Sequence, residues 1–253
     1  MKLLFKTILK HYLKYITKFV LFIRRPTIIV VAGSTNKPFV RDEIKRVLEA
    51  AGKSVRANPK NFNTEIGLPL AVLNLPSGYN SYKNWLPIIF KTWAKILSKN
   101  FPEFFILMLG TSDPGDIKYL LKIVKPKIAV ITDITQRYLE GFSDLDELVG
   151  EYEYLVKKLP SQGLLVLNNE NNRIKNLSKL TKIKTVTFGV NNKSDFSVAQ
   201  ITKTSQGQLA TIEHGDKKKE YEINRFGLHH IYAFMIGLII KQYVSQEEFQ
   251  DSK

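Results

Sequence analysis

A short polar loop carries the residue types best suited to chemistry. It consists of Gly33-Ser34-Thr35-Asn36-Lys37-Pro38 and follows an apolar run at 27–32. Phosphate-binding loops in such a position follow the pattern G-x-x-x-x-G-K-[ST], in which backbone N–H groups and the lysine contact phosphates and the hydroxyl binds Mg²⁺. Lys37 keeps the lysine, but Asn36 replaces the preceding glycine and Pro38 replaces the hydroxyl residue. The loop predicts either a modified nucleotide site or one that has been lost.

The composition excludes some kinds of site and favours anionic partners. The chain has 253 residues with 44% hydrophobic content, which suits one large domain, or one domain with an appendage. It has no cysteine, which excludes disulfides and thiolate metal sites. A formal charge of +15 favours nucleic acid, membrane phospholipid or phosphorylated metabolites. Nucleic acid is the weakest of these interpretations because the lysines are scattered and no recognition motif is present. The four histidines show no metal-ligand spacing: His11, His214, His229 and His230.

The first 25 residues predict a basic amphipathic helix. Lysines recur every four residues from Lys2 to Lys18, and aromatic and aliphatic residues lie between them. These lysines interrupt every turn, so the segment lacks an apolar run long enough to span a membrane. Two interpretations remain open for the helix. It packs on its own domain with the lysines in solvent, or it contacts an anionic membrane surface.

The apolar runs that alternate with helical patterns predict an α/β fold, with a mostly parallel sheet covered by helices on both faces. The predicted domain is 26–244, followed by a polar tail at 245–253. Ligands in such sheets bind at the carboxyl ends of the strands, where the loop at 33–38 lies. The predicted strands are 27–32, 54–56, 104–109, 128–132, 164–167 and 185–188, with antiparallel additions at 196–201 and 209–213. The main predicted helices are 41–51, 81–98, 117–123, 145–158 and 228–243.

Four sequence blocks carry a resemblance to a known family. They read AGSTNKPFVRDEI, NFNTEIGLPLAVL, ILMLGTSDPGDIKYLLKIVKPKIAVITDI and YLEGFSDLDELV, in this order along the chain. The chain resembles the Mur ligases, and within that family the D-alanyl-D-alanine-adding ligases of peptidoglycan synthesis, over about residues 26–244. The resemblance implies a P-loop-containing central ATP-binding domain with ATP and Mg²⁺ as cofactors. We expect no counterpart of the family's two flanking domains in residues 1–253.

The resemblance also assigns family positions, and several carry the wrong chemistry. Proline has neither the hydroxyl that would hold Mg²⁺ nor an N–H for a phosphate, and a thioether is a poor ligand for a hard cation. The nucleotide-binding positions are Gly33, Ser34, Asn36, Lys37, Pro38 and His230, and the substrate-side positions are Asn61, Asn63 and Thr64. Met108, Tyr138 and Tyr152 stand where the family has a metal-binding glutamate, a histidine and a carbamylated lysine.

Two functions follow from this comparison. The first is a degenerate domain that binds or scaffolds a complete Mur ligase or another cell-wall enzyme, in the cytoplasm or at the inner face of the membrane. ATP and Mg²⁺ are then doubtful cofactors, and no metal site is assigned. The second is an active ATP-dependent carboxylate–amine ligase, completed by another subunit. Its metal ligands would have moved to Asp113, Asp116 or Asp133, which follow predicted strands.

Overall fold

A computed structural model describes residues 2–59, 62–79, 81–97, 100–137 and 139–251. Within these residues nine strands form one sheet in the order β2-β3-β1-β4-β5-β6-β7-β8-β9. Neighbours from β2 to β7 are parallel, and β7-β8 and β8-β9 are antiparallel. The strands are β1 Thr27–Ala32, β2 Val55–Ala57, β3 Phe104–Met108, β4 Ile128–Ile131, β5 Leu164–Asn168, β6 Lys184–Gly189, β7 Phe196–Lys203, β8 Gln208–His214 and β9 Lys217–Ile223.

Helices cover both faces of the sheet. Alternation along β1 illustrates the reason, because Ile28 and Val30 face one hydrophobic cluster while Ile29 and Val31 face the other. The first cluster includes residues of α3, α5, α6 and α7, and the second includes residues of α2 and α8. The helices are α1 Lys2–Arg24, α2 Lys37–Ala50, α3 Gly67–Leu73, α4 Tyr82–Leu97, α5 Asp116–Leu120, α6 Leu145–Lys157, α7 Asn172–Leu177 and α8 Leu228–Asp251.

The predicted fold class is confirmed, with differences at the ends of elements. Helix α2 begins at Lys37 instead of 41, because a proline in the first helical turn needs no N–H partner. Strand β7 pairs antiparallel with β8 as predicted, but it also pairs parallel with β6 through Phe188 and Phe196. Strand β9 was not predicted, since its sequence KKKEYEI has little apolar pattern. Helix α8 continues to Asp251, through the first part of the predicted polar tail.

Helix α1 packs on the domain through one face. Leu9, Leu13, Ile16 and Val20 are buried in a third hydrophobic cluster together with residues of α3 and α4. The Tyr12 hydroxyl also lies 2.5 Å from Thr92 Oγ1 of α4. In the part of the chain that the structure describes, none of the helices has the length and apolar character needed to cross a membrane.

Candidate functional site

The loop at 33–38 connects β1 to α2 at the carboxyl end of a central strand. Lys37 is the first residue of α2, four residues before the start that the sequence predicted. Gly33 has φ +128°, and a Cβ there would overlap Thr132 Oγ1 and lie 2.9 Å from the carbonyl oxygen of Asp133. Asn36 has φ 62°, a left-handed conformation that asparagine tolerates. The sequence therefore keeps the backbone shape of this turn even where it changes the motif.

A cavity of about 430 Å³ lies against this loop. It brings together Ser34, Asn36, Lys37 and Pro38 with two more distant predicted positions, Asn63 and Met108. The carbonyl oxygen of Asn63 accepts a hydrogen bond of 2.9 Å from the Gly110 N–H. This bond holds the segment around Asn63 against the end of β3, at the cavity wall. The remaining lining residues are Thr35, Phe39, Gly110, Thr111, Ser112 and Arg137.

Asp133 binds the loop from the end of the neighbouring strand β4. Its carboxylate accepts the Thr35 backbone N–H at 2.7 Å and also the Thr35 hydroxyl. Its carbonyl oxygen accepts the Ser34 N–H at 2.8 Å. Asp133 was predicted only as a substitute metal ligand, and here it is a hydrogen-bond acceptor for the loop backbone. The Asp133 carboxylate thus occupies donors of a loop that leads into a helix N-terminus, a position at which anions bind in many proteins.

Lys37 is turned back onto the loop that it follows. Its Nζ donates to the carbonyl oxygen of Gly33. Burial lowers the pKa of Lys37, the attraction of Asp133 acts in the opposite direction, and Arg137 lowers it further. The cationic head is therefore held by groups of the protein itself at the position where the motif would direct it to a phosphate.

Two of the positions that the family resemblance assigns to metal ligands carry side chains without oxygen. Pro38 supplies no hydroxyl, and Met108 ends β3 with a side chain that is only 4% exposed and contains a thioether. Across the described ranges, no group of three or more His, Asp or Glu side chains is placed to hold a metal ion. Asp116 has another role, because its carboxylate accepts the N–H groups of Ser112 at 2.9 Å and Asp113 at 3.0 Å and so shapes the turn before α5.

Tyr152 lies beneath the cavity, at the position where the resemblance implies a modified lysine. It is 1% exposed, and its hydroxyl lies near Ser34 and Thr111. Burial raises the pKa of Tyr152 to about 12. The sequence alignment thus placed this residue next to the loop, and its neutral phenol packs in the first hydrophobic cluster.

His230 lines a different cavity from the loop. That cavity, of about 350 Å³, lies between α2, α8 and the end of β9, and Phe39 lines both cavities. The ring of Phe39 is 4.9 Å from His230 and 4.6 Å from His229. Burial lowers the pKa of His230, and nearby His229 and Arg225 act in the same direction. The predicted nucleotide-binding set is therefore divided by an aromatic side chain.

The other predicted positions have different outcomes. Thr64 stands before α3, where its carbonyl oxygen accepts the Leu68 N–H at 2.9 Å. Asn61 and Tyr138 lie outside the described residues. Sequence reasoning missed Asn58, whose buried amide accepts the Met108 N–H at 2.8 Å and donates to the Met108 carbonyl oxygen at 3.3 Å. An asparagine in a polar loop gives no sequence signal for this role.

Comparison with known proteins agrees with this architecture. The model of the Mur ligase middle domain matches residues 86–240. The chain belongs to the Mur ligase family.

Its relatives in that family are longer proteins. Two UDP-N-acetylmuramoyl-tripeptide–D-alanyl-D-alanine ligases, from Buchnera aphidicola and Haemophilus influenzae, are 26% and 25% identical to the chain over 206 and 209 residues. Each match covers 81% of this chain and 40% of the relative, so the chain spans less than half the length of these relatives.

A solved structure shows the same fold. The MurF ligase from Thermotoga maritima, in complex with ADP, superimposes with a TM-score of 0.74 at 19% identity. The match covers 93% of this chain and 49% of that one.

Proposed function

We propose that this Mur-ligase-type domain, related to peptidoglycan precursor synthesis, has lost Mg-ATP chemistry and acts by binding another cell-wall enzyme as a scaffold. The observation that supports this most is the contact between Asp133 and the loop. A carboxylate already accepts the Thr35 N–H at 2.7 Å, in the loop that would approach a phosphate. ATP binding would bring like charge against that carboxylate unless Asp133 moved or became protonated.

The metal positions support the same proposal. Mg²⁺ binds hard oxygen ligands, and its usual protein ligands here would be a hydroxyl and a carboxylate. Pro38 and Met108 provide neither. The family's reaction activates a carboxylate as an acyl phosphate, and that step needs cations on the phosphate oxygens. Loss of two or three charge-assisted hydrogen bonds removes roughly 3–9 kcal/mol of phosphate binding.

The second candidate is an active carboxylate–amine ligase. It is favoured by the retained cavity of about 430 Å³ beside the loop and by Lys37 at the start of α2. Asp133, near the loop, would then have to rotate away from Thr35 to serve a metal, and another subunit would supply further contacts. The relatives named above carry a ligase name, which keeps this candidate in consideration.

A calorimetric titration distinguishes the two candidates. ATP is titrated into the chain with Mg²⁺ and, in a parallel titration, with EDTA. If the domain is a scaffold, we expect weak ATP binding whose heat is the same with Mg²⁺ and with EDTA. Micromolar binding that requires Mg²⁺ would overturn it in favour of the ligase.

A further inference from the structure

Helices α1 and α4 expose large apolar side chains on their outer faces. Phe22 is 70% exposed on α1, and Phe90 and Trp93 are 74% and 59% exposed on α4. On α1 the exposed residues recur at helical spacing, so they form one row along the helix. Together these residues are called the two-helix surface: Leu4, Ile8, Tyr15, Phe19 and Phe22 of α1, and Leu86, Phe90 and Trp93 of α4.

The two rows face away from the same buried cluster. On α1, Leu9 and Leu13 lie on a different face of the helix from Ile8 and Tyr15 and pack into the third cluster. On α4, Trp85 and Ile88 pack into that cluster. The helices are joined directly, because the Tyr12 hydroxyl donates to the Ile89 carbonyl oxygen at 3.2 Å. Arg24 likewise donates to the Ile96 carbonyl oxygen at 2.9 Å. Both rows therefore lie on the outside of one helical layer.

The charge of this layer has one sign. Neither 2–24 nor 82–97 contains an aspartate or glutamate, while both contain several lysines. Lys18, Lys83 and Lys91 are exposed next to the apolar rows. Lys10, Lys14 and Lys122 add positive charge on one flank. Burial lowers the pKa of Lys14, and the nearby charges of Lys122, Lys18 and Lys10 lower it further. Lys6 forms an ion pair with Glu65 at 3.3 Å on the edge of the layer. Lysines still outnumber carboxylates, so the layer combines exposed aromatic residues with an excess of positive charge.

We propose that the two-helix surface binds an anionic phospholipid membrane, with both helices lying in the interface. Helices of this kind bury aromatic and aliphatic side chains at the headgroup boundary while lysines extend to the lipid phosphates. The opposite face of each helix is packed on the domain, so the layer rests on the membrane without entering it deeply. A protein partner fits less well, because lysine is depleted in protein–protein interfaces.

Vesicle co-sedimentation of the full chain tests this proposal. The chain should sediment with phosphatidylglycerol-containing vesicles at low salt and remain in solution with phosphatidylcholine vesicles. About 1 M salt should release it, because the Debye length then falls to about 3 Å. Failure of the full chain to sediment with the anionic vesicles at low salt overturns the proposal.

A matched pair of lysine variants tests whether binding depends on this surface or only on the net charge of the chain. Lys18→Gln/Lys83→Gln/Lys91→Gln should weaken binding by about a hundredfold, as three cations near an anionic surface imply. The control Lys217→Gln/Lys218→Gln/Lys219→Gln removes the same charge from exposed positions on β9 and should stay within about twofold of the unchanged chain. Equal losses in the two variants would overturn the proposal, since they would mean that net charge alone drives binding.

The apolar rows are tested in the same way. Phe19→Ser/Phe22→Ser/Trp93→Ser should abolish sedimentation, because about 25 cal/mol is lost for each Å² of apolar surface no longer buried. The control Leu180→Ser/Phe226→Ser/Leu228→Ser changes exposed apolar residues elsewhere and should not. Sedimentation velocity without vesicles supplies the other outcome. If the unchanged chain is a dimer that does not bind vesicles, and Phe19→Ser/Phe22→Ser/Trp93→Ser makes it monomeric, then a second copy covers this surface. That result would overturn the proposal.

Discussion

At the scale of single residues, the loop at 33–38 keeps its shape while its groups bind one another. Gly33 and Asn36 adopt positive φ values, and Thr35 and Lys37 contact Asp133 and the Gly33 carbonyl oxygen. A loop that binds phosphate needs those donors for its ligand. In this structure the Thr35 N–H and the Lys37 ammonium group instead have acceptors within the protein.

Replacement of Asp133 by asparagine should restore anion binding. The amide oxygen can still accept the Thr35 N–H, so the loop is held while the negative charge is removed. We expect the affinity for pyrophosphate to rise at least about tenfold, because a unit charge about 4 Å away near a protein surface contributes up to about 4 kcal/mol. Calorimetry measures the change, and Asp146→Asn, at an exposed position on α6, is the control. An equal effect of both substitutions would show that Asp133 does not restrict the loop.

Tyr152 should make the fold sensitive to alkali. Its pKa is raised to about 12 by burial, while an unfolded tyrosine titrates near pH 10. Between these values the unfolded chain loses the proton first, so the contribution of Tyr152 to stability, present below about pH 10, is lost as the pH rises. The loss approaches about 3 kcal/mol.

Urea unfolding of the unchanged chain and of Tyr152→Phe, at neutral pH and near pH 11, measures this contribution. The difference between the two free energies of unfolding should shift in favour of the variant at the higher pH. A constant difference would mean that the phenol ionises in the folded chain as easily as in the unfolded one.

At the scale of elements, apolar pattern made most of the sheet predictable. Strands β1, β3, β4 and β5 are buried on both faces and contain uninterrupted β-branched or other large apolar residues. Strand β9 lies at the edge, where lysines replace that pattern. The parallel pairing of β7 with β6 depends on the loop that joins them. Glu170 holds this loop through the N–H groups of Val190 and Asn191, and sequence spacing does not reveal that contact.

The candidate site divides in the same way. Lys37, Asn63 and Met108 could be placed because each lies within one of the four sequence blocks. The separation of His230 by Phe39 could not, since it depends on how α8 packs against α2. The contact of Asp133 with Thr35 depends on side-chain direction, which strand periodicity does not fix for residues beyond the end of a strand.

Asn58 should be the residue that fixes the loop after β2 to the end of β3. Its side-chain amide forms hydrogen bonds with the N–H and the carbonyl oxygen of Met108. It also donates to the Phe62 carbonyl oxygen at 2.9 Å. Asn58→Ala should lower the free energy of unfolding by about 3 kcal/mol, because buried backbone groups of β3 lose their partner. Urea titration measures this, with the exposed Asn84→Ala as the control. A loss no larger than that of the control would mean that water replaces the amide.

At the scale of the whole molecule, an α/β domain of the Mur ligase family carries a helical layer on one side and an altered loop at its central sheet edge. Pro38 and Met108 lie beyond β1 and at the end of β3, outside the hydrophobic clusters on the two faces of the sheet, whereas Tyr152 packs within the first cluster. The fold can therefore persist while phosphate and metal contacts are lost. Substitutions that return the family's residues at 36, 38 and 108 should therefore leave the fold unchanged.

The most direct test is a Mg-ATP titration of the unchanged chain beside Asn36→Gly/Pro38→Thr/Met108→Glu. The variant returns the backbone donor, the hydroxyl and the carboxylate to the cavity next to Lys37. We expect the unchanged chain to show no Mg²⁺-dependent binding and the variant to bind Mg-ATP at least about tenfold more tightly than ATP with EDTA. Micromolar, Mg²⁺-dependent binding by the unchanged chain would contradict the account.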